Sequence, residues 1–129
     1  MQKLIRLATA ALLASTLLWV TPASANDSDV IREGNCSAAS DWKLKLSEEN
    51  GRIEVDFEVD QNVVGETWQV VLKQNGVTFF RGTRVTQAPS GSFEVRRVTD
   101  NLAGDDHFVG LARNVSTGET CRGAAIWTL

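Results

Sequence analysis

The sequence predicts an all-β protein, an antiparallel sandwich of seven short strands. Three observations favour this fold class. Apolar and polar residues alternate in several segments after residue 40, Asn-Gly dipeptides separate two pairs of such segments, and turn-forming residues recur at short intervals. Alternation with a period of two is typical of half-buried strands, and Asn-Gly suits the two-residue turn of a β-hairpin. No segment shows a convincing helical pattern.

The first two strands form a hairpin around Asn50-Gly51. Apolar residues alternate with lysines before this turn and with carboxylates after it. Asn-Gly suits a two-residue turn because both central positions need positive φ, and a turn of this length fixes the register. It places oppositely charged residues and apolar residues in matching pairs: Lys45 with Asp56, Lys43 with Glu58, Leu46 with Val55, Leu44 with Phe57 and Trp42 with Val59. Agreement between turn chemistry and cross-strand pairing supports the hairpin.

The same reasoning gives a second hairpin around Asn75-Gly76. The expected pairs on one face are Trp68 with Thr83, Val70 with Arg81 and Leu72 with Phe79, while Val71 meets Phe80 on the other face. Three more strands are expected over residues 92–98, 107–115 and 120–128, separated by turn-rich segments. Short strands at this spacing are typical of an antiparallel β-sandwich.

Two stretches of the last hairpin carry a resemblance to a known family. Ala112-Arg113-Asn114, followed by Thr117-Gly118-Glu119, resembles the F-to-G hairpin of immunoglobulin-like and fibronectin type III-like sandwiches. The resemblance covers residues 36–129 and implies seven strands in the order A, B, C, C′, E, F, G. It also extends to small secreted bacterial sandwich proteins of unassigned function. The chain departs from the fibronectin type III pattern because it contains no tyrosine for strand F.

The N-terminal residues have the pattern of a secretory signal peptide. Lys3 and Arg6 precede an apolar run over residues 7–20, and Ala23-Ser24-Ala25 forms a small-x-small cleavage signature. We therefore expect a signal peptide over 1–25, a flexible lead over 26–35 and one β-sandwich domain over 36–129. The expected location is extracellular, or periplasmic if the host has an outer membrane, with no transmembrane segment after signal removal.

The two cysteines, Cys36 and Cys121, predict one disulfide, since an exported chain with an even cysteine count usually pairs them. In the immunoglobulin family the disulfide joins strands B and F, whereas here Cys36 precedes strand A and Cys121 begins strand G. Strands A and G of such a sandwich run in the same direction, so their starts lie at the same end. The bond can therefore form, as a variant of the family's disulfide.

The charge of the chain disfavours nucleic acid as a partner. Thirteen Lys and Arg stand against sixteen Asp and Glu, and without Lys3 and Arg6 the net charge is about −5. The charge is also unevenly spread. Residues 27–66 are strongly acidic, whereas the later half is mildly basic.

The chain offers little for catalysis. His107 is the only histidine, and no Gly-x-Ser-x-Gly motif accompanies it. A nucleophilic triad needs a base beside its nucleophile, and zinc needs several nitrogen or sulfur ligands. The sequence therefore predicts a protein that is not an enzyme and has no cofactor. Alternating acids over residues 54–60 are interpreted as a solvated, charge-paired sheet face rather than as paired glycosidase carboxylates.

Calcium is the alternative that the sequence leaves open for a metal. One loop gathers four oxygen-bearing side chains: Asp100, Asn101, Asp105 and Asp106. Calcium accepts such ligands in flexible geometry. The competing interpretation is an acidic turn whose side chains bond their own backbone.

An exposed apolar patch is the main candidate for a binding site. If Phe108, Gly110 and Ala112 point inward, the residues between them point outward and join the second hairpin. The expected patch comprises Val71, Phe80, Val109 and Leu111, rimmed by Lys73 and Arg113. Patches of this kind commonly mark binding sites.

The function favoured by the sequence is surface binding by a secreted, non-enzymatic protein. Its partner would be an extracellular protein, an envelope component or a second copy of itself. One alternative is a secreted inhibitor of an extracellular hydrolase, acting through the loop 86–92 that contains Pro89. Others are a calcium-binding or a carbohydrate-binding module, although Trp42, Trp68 and Trp127 lie in segments that suit a core.

Overall fold

A computed structural model describes residues 28–128 and is built from β-strands. The strands are β1 (Val30–Asn35), β2 (Asp41–Glu49), β3 (Arg52–Asp60), β4 (Thr67–Gln74), β5 (Val77–Val85), β6 (Ser92–Asp100), β7 (Asp106–Asn114) and β8 (Thr120–Trp127). The predicted all-β class is confirmed. In the described part of the chain, no helix is long and apolar enough to span a membrane. The predicted signal peptide lies outside the described residues.

The strands form two antiparallel sheets that enclose one core. Sheet 1 has the order β1-β2-β3-β6, and sheet 2 has the order β5-β4-β7-β8. In β2, β3, β4, β6, β7 and β8, side chains that alternate along the strand point inward and form the buried core, among them Phe57, Trp68 and Phe108. The side chains between them point outward. Each sheet therefore presents one face to the core and one face to solvent.

The expected count of seven strands is wrong by one, because β1 occupies much of the segment interpreted as a flexible lead. Its sequence, VIREGN, has no run of alternating apolar residues, since β1 is an edge strand that buries little. Pairing with β2 orders it, and Gly34 stands opposite Trp42.

A Cβ on Gly34 would come within 2.7 Å of the Trp42 ring, as would a Cβ on Gly123 of β8. The indole is thus flanked by two glycines from different sheets.

The first hairpin has the predicted register throughout. Leu44 pairs with Phe57, Lys45 with Asp56, and the other expected pairs also form. Asn50 and Gly51 have φ of 49° and 78°, as the turn requires. Here local turn chemistry and side-chain alternation specify the same register.

The second hairpin departs from its predicted register beyond the turn. Lys73 still pairs with Thr78, but the register then shifts, so that Leu72 pairs with Phe80 and Val71 with Arg81. The extra residue is Phe79, whose ring packs edge-on against Phe108 of β7 at a centroid distance of 6.1 Å. A β-bulge lets two consecutive aromatic side chains pack towards the core, which regular alternation would forbid.

The predicted disulfide is confirmed: it joins Cys36, between β1 and β2, to Cys121 at the start of β8. Beside it, the buried carboxylate of Glu119 fixes the same connection. Its Oε2 accepts hydrogen bonds from the backbone N–H of Ala38 (3.0 Å) and Ser40 (2.9 Å), and its Oε1 accepts one from the Ser40 hydroxyl (2.7 Å). A covalent bond and a satisfied buried carboxylate therefore attach the β1–β2 connection to sheet 2.

Candidate functional site

The outer face of sheet 2 carries most of the predicted binding patch. In β7, Phe108, Gly110 and Ala112 are buried, and Val109 and Leu111 alternate with them on the outside. In β4, the same alternation puts Val71 and Lys73 outside. Arg113 is exposed at the end of β7. These five residues therefore share one surface.

The strand pairing aligns the centre of this surface into a row across all four strands. Arg81 of β5 pairs with Val71, Val71 pairs with Leu111, and Leu111 pairs with Arg122 of β8. Two adjacent apolar side chains thus have an arginine at each end. We call the surface formed by the following residues the basic-apolar face: Val71, Lys73, Arg81, Val109, Leu111, Arg113, Arg122, Ala124 and Ile126.

A shallow depression of about 400 Å³ lies in this face. Its walls include the side chains of Val71, Arg81, Leu111 and Arg113. Val71 and Leu111 are half-buried, whereas the arginines are exposed. Apolar surface at the bottom and guanidinium groups at the rim can together bind an acidic partner that also has an apolar contact surface.

The charge of the basic-apolar face is uniform. Its charged side chains are Lys73, Arg81, Arg113 and Arg122, and no aspartate or glutamate of the described strands points outward from sheet 2. His107 extends the face beside Ile126, its partner on β8. Four of the seven Lys and Arg residues that follow residue 67 therefore share one surface.

Phe80 does not belong to this face, which corrects the predicted patch. The register shift at Phe79 turns Phe80 to the inner side of β5, where its ring covers Gly82. Two guanidinium groups flank the ring, that of Arg97 at 4.5 Å and that of Arg84 at 5.2 Å from its centroid. Phe80 closes the side of the core between β5 and β6.

Four members of the face were not predicted from the sequence, namely Arg81, Arg122, Ala124 and Ile126. Arg81 was assigned to the opposite side by the unshifted register. In β8, Arg122, Ala124 and Ile126 alternate with buried residues, and Ile126 is 43% exposed. This alternation is visible in the sequence and was a usable signal.

The predicted calcium ligands do not converge on a common site. Asp106 is fully buried, and its Oδ1 accepts hydrogen bonds from Gln74 (3.1 Å) and Asn75 (2.9 Å), while its Oδ2 accepts one from the Leu102 N–H (3.1 Å). Asp100 pairs with Arg52, and Asp105 is exposed. The Asn101 amide is positioned to donate to Asp106. Residues 28–128 contain no cluster of His, Cys, Asp or Glu suited to a metal.

The outer face of sheet 1 is acidic, and we call it the acidic face. Arg96 lies on the edge strand β6 and contacts three carboxylates, those of Glu94 (2.9 Å), Asp56 (3.2 Å) and Glu54 (3.4 Å). Burial, together with a hydrogen bond and charge repulsion from Glu94, raises the pKa of Asp56 to about 6. Although Lys45 stands opposite Asp56, its ammonium group pairs with Asp29 at 3.6 Å.

The other predicted functional elements occupy supporting positions. Trp68 and Trp127 are buried and Trp42 is half-buried, so none of the three provides an exposed aromatic platform for a sugar. In the loop 86–92, Thr86 is buried and its hydroxyl donates to the Val63 carbonyl. Only four residues of this loop, 87–90, are exposed.

The fold and its outer faces thus define a small, disulfide-linked β-sandwich with two solvent-facing sheets. The chain matches no protein-family model and no curated protein. A solved structure described as the Br derivative of BhCBM56, a carbohydrate-binding module, is 18% identical over 74% of this chain and 100% of that chain, with a TM-score of 0.41. A likeness of this extent carries no argument about function.

Proposed function

We propose that the protein acts by surface binding, without catalysis, and that the basic-apolar face is its binding surface. The observation that supports this proposal is the row in which Arg81 and Arg122 stand at the two ends of the Val71–Leu111 pair. The partner would be an extracellular protein or an envelope component with an acidic surface.

The composition of the face agrees with this role. Arginine is enriched at binding hot spots, because its planar group forms paired hydrogen bonds with carboxylates and loses less hydration than lysine. The apolar centre supplies contact area, and the charged rim selects against cationic partners. Two or three such contacts give specificity without a deep pocket.

We also propose that the protein is exported and that its sandwich is a variant of the fibronectin type III-like type. The disulfide and the signal-like N-terminus support export. Strands β2, β3 and β6 correspond to A, B and E of the family, and β5, β4, β7 and β8 to C′, C, F and G, so the sheet order supports the fold type. In this interpretation β1 is an addition at the edge of sheet 1.

The binding role is tested by two surface variants of matched chemistry. Val71→Ser combined with Leu111→Ser removes the apolar centre of the face, whereas Val98→Ser makes a similar change on the outside of sheet 1. The probes are immobilised poly-L-glutamate, as a defined acidic polymer, and envelope and culture-fluid fractions of the host. We expect the double variant to lose at least tenfold in retention on the envelope and culture-fluid fractions and the control to bind like the wild type. On poly-L-glutamate the loss should come from Arg81→Glu with Arg113→Glu, which reverses the charge of the rim.

If the wild type and the variants of the face were retained equally, the basic-apolar face would not be the binding surface. Capture of a hydrolase whose activity falls on binding, with loss of that effect when residues 87–90 are replaced by glycines, would favour the inhibitor alternative instead.

A further inference from the structure

The outer faces of the two sheets carry opposite charge. On sheet 1, outward-pointing carboxylates outnumber the cations Lys43, Lys45, Arg52 and Arg96. These carboxylates are Glu33, Asp41, Glu49, Glu54, Asp56, Glu58, Asp60, Glu94 and Asp100. On sheet 2, the outward-pointing charged residues of the described strands are basic. The two faces lie on opposite sides of the same sandwich.

The acidic face contains a groove of about 450 Å³, lined by Glu33, Asp41, Glu58 and Asp60 together with Lys43. The register sets Asp41 directly opposite Asp60, and Glu58 directly opposite Glu94. Like charges in such pairs repel each other and destabilise a sheet. Binding surfaces often contain residue pairs of this kind, which lower the stability of the free molecule.

The cations of sheet 1 do not fully neutralise this groove. Arg96 is engaged by three carboxylates, Arg52 by Asp100 and Lys45 by Asp29. Lys43 lines the groove and stands between Glu33 and Glu58 in the register, so four carboxylates face a single ammonium group. Within residues 28–128, none of the four groove carboxylates forms an ion pair. The groove thus has negative charge available for a cationic partner.

We propose that the basic-apolar face of one molecule binds the acidic face of a second copy of this chain. This inference rests on the proposed function, since it names what the basic-apolar face binds. Arg81 and Arg122 are the two ends of a cationic row, and the groove between β1, β2 and β3 offers the carboxylates that such a row requires. Charge complementarity between two faces of the same chain is the reason to choose a second copy as the partner.

The dimensions of the faces suit such a contact. Four strands spaced by about 4.8 Å, with about eight residues rising 3.3 Å each, give a face of roughly 19 by 26 Å. The pair of faces would bury about 1,000 Å² in total, which is near the lower limit for specific interfaces. We therefore expect weak and reversible association.

The geometry also determines the form of the assembly. Binding uses one surface on the first molecule and a different surface on the second, so the contact is heterologous. Because these surfaces lie on opposite sides of the sandwich, each added molecule leaves one free acidic face and one free basic-apolar face at the two ends. The product is a stack and not a closed dimer.

Sedimentation equilibrium of the full mature chain tests the stack. At about 0.5 mM protein and about 20 mM NaCl, we expect the weight-average mass of the wild type to exceed that of the monomer, and to return to it at about 500 mM NaCl, where charges are screened within about 4 Å. Wild type that remains monomeric at about 20 mM NaCl overturns the inference.

Two variants, each with two charge-reversing substitutions at exposed residues, test which faces form the contact. Arg81→Glu with Arg113→Glu changes the basic-apolar face, and Glu33→Lys with Asp41→Lys changes the acidic face. Each variant alone should be monomeric. Their equimolar mixture should associate again, since each retains the face that the other lacks, and a misfolded variant would not be rescued in this way. Arg81→Lys with Arg113→Lys keeps the charge and should retain association.

Association that survives either reversal, or a mixture that stays monomeric, contradicts head-to-tail stacking. The proposed function is judged separately by retention on poly-L-glutamate. A monomeric wild type that is retained there, with the Arg81→Glu, Arg113→Glu variant released, leaves the binding role intact and excludes the second copy as its partner.

Discussion

The guanidinium group of Arg97 lies 4.5 Å from the ring centroid of Phe80, although the two residues belong to different sheets. Arg97 projects from β6 and Phe80 from β5, and these are the edge strands on one side of the sandwich. The ring is half-buried and packs against the core, while its faces meet two cations, Arg84 and Arg97. Cation–π contacts and apolar burial therefore close this side without hydrogen bonds between the two edge strands.

The first prediction compares the contributions of Phe80 and Val71 to stability. Phe80→Ser should lower the free energy of unfolding by about 2 kcal/mol, because it removes a packed ring and its cation–π contacts, whereas Val71→Ser should cost less than about 1 kcal/mol. Urea denaturation followed by tryptophan fluorescence measures both. A larger loss for Val71→Ser than for Phe80→Ser would mean that their orientations are reversed.

The second prediction concerns Glu119. Glu119→Gln should lower the free energy of unfolding by about 1 to 3 kcal/mol, because an amide can no longer accept hydrogen bonds at both ends, and one buried donor is left unpaired. Hydrogen exchange should become faster at Ala38 and Ser40, whose N–H groups donate to this carboxylate. Glu48→Gln is the control, since Glu48 accepts one bond from Gly51 at an exposed site. Equal losses for both variants would contradict a special role for Glu119.

The third prediction concerns the disulfide. Replacing Cys36 and Cys121 by alanine should lower the free energy of unfolding by about 4 kcal/mol in the chain-entropy model, since the bond closes a long loop. The sequence separation of the two cysteines is 85 residues. Thermal and urea unfolding of the variant measure the loss. A loss below about 1 kcal/mol would indicate that Glu119 and β1 pairing alone hold the connection.

The fourth prediction is a pH dependence carried by Asp56. Its pKa in the folded protein is about 6, raised from 3.8 mainly by burial and also by Glu94. A raised carboxyl pKa favours the protonated form in the folded state, so this contribution to stability is present below about pH 4 and is lost as pH rises through about 6. Relative to Asp56→Asn, the wild type should therefore lose stability between pH 4 and about 6.5.

Urea midpoints of both proteins, measured across this range, give the difference directly. Glu94→Gln supplies the control, because removing the neighbouring charge should lower the pKa of Asp56 and move the loss to lower pH. Parallel curves for wild type and Asp56→Asn would show that Asp56 does not titrate in this window.

The sequence predicts those parts of the fold that are determined by contacts between residues close together in the chain. The hairpin at Asn50-Gly51 was predicted pair by pair, because turn and alternation are adjacent in the chain. The bulge at Phe79 was missed, because its cause is packing against Phe108 of β7, about thirty residues away in the sequence. β1 was missed because an edge strand needs little apolar alternation, and its order comes from β2 and from the approach to β8.

The candidate site shows the same division. Alternation within β4 and β7 was sufficient to assign Val71, Val109 and Leu111 to one surface. The arginine row was not predictable, because it depends on the pairing of β4 with β7, and these strands are separated in the sequence by two others. The separation of acidic and basic residues onto opposite faces likewise emerges only when the sheet order is known.

The opposite charges of the two faces give the sandwich an electric dipole perpendicular to both sheets. In the field of a charged surface, a molecule with such a dipole turns before it makes any contact. Near a negatively charged cell surface it would settle with sheet 2 downward and the carboxylates of sheet 1 towards the medium. A layer of these molecules would cover that surface and still present negative charge to whatever approaches from outside.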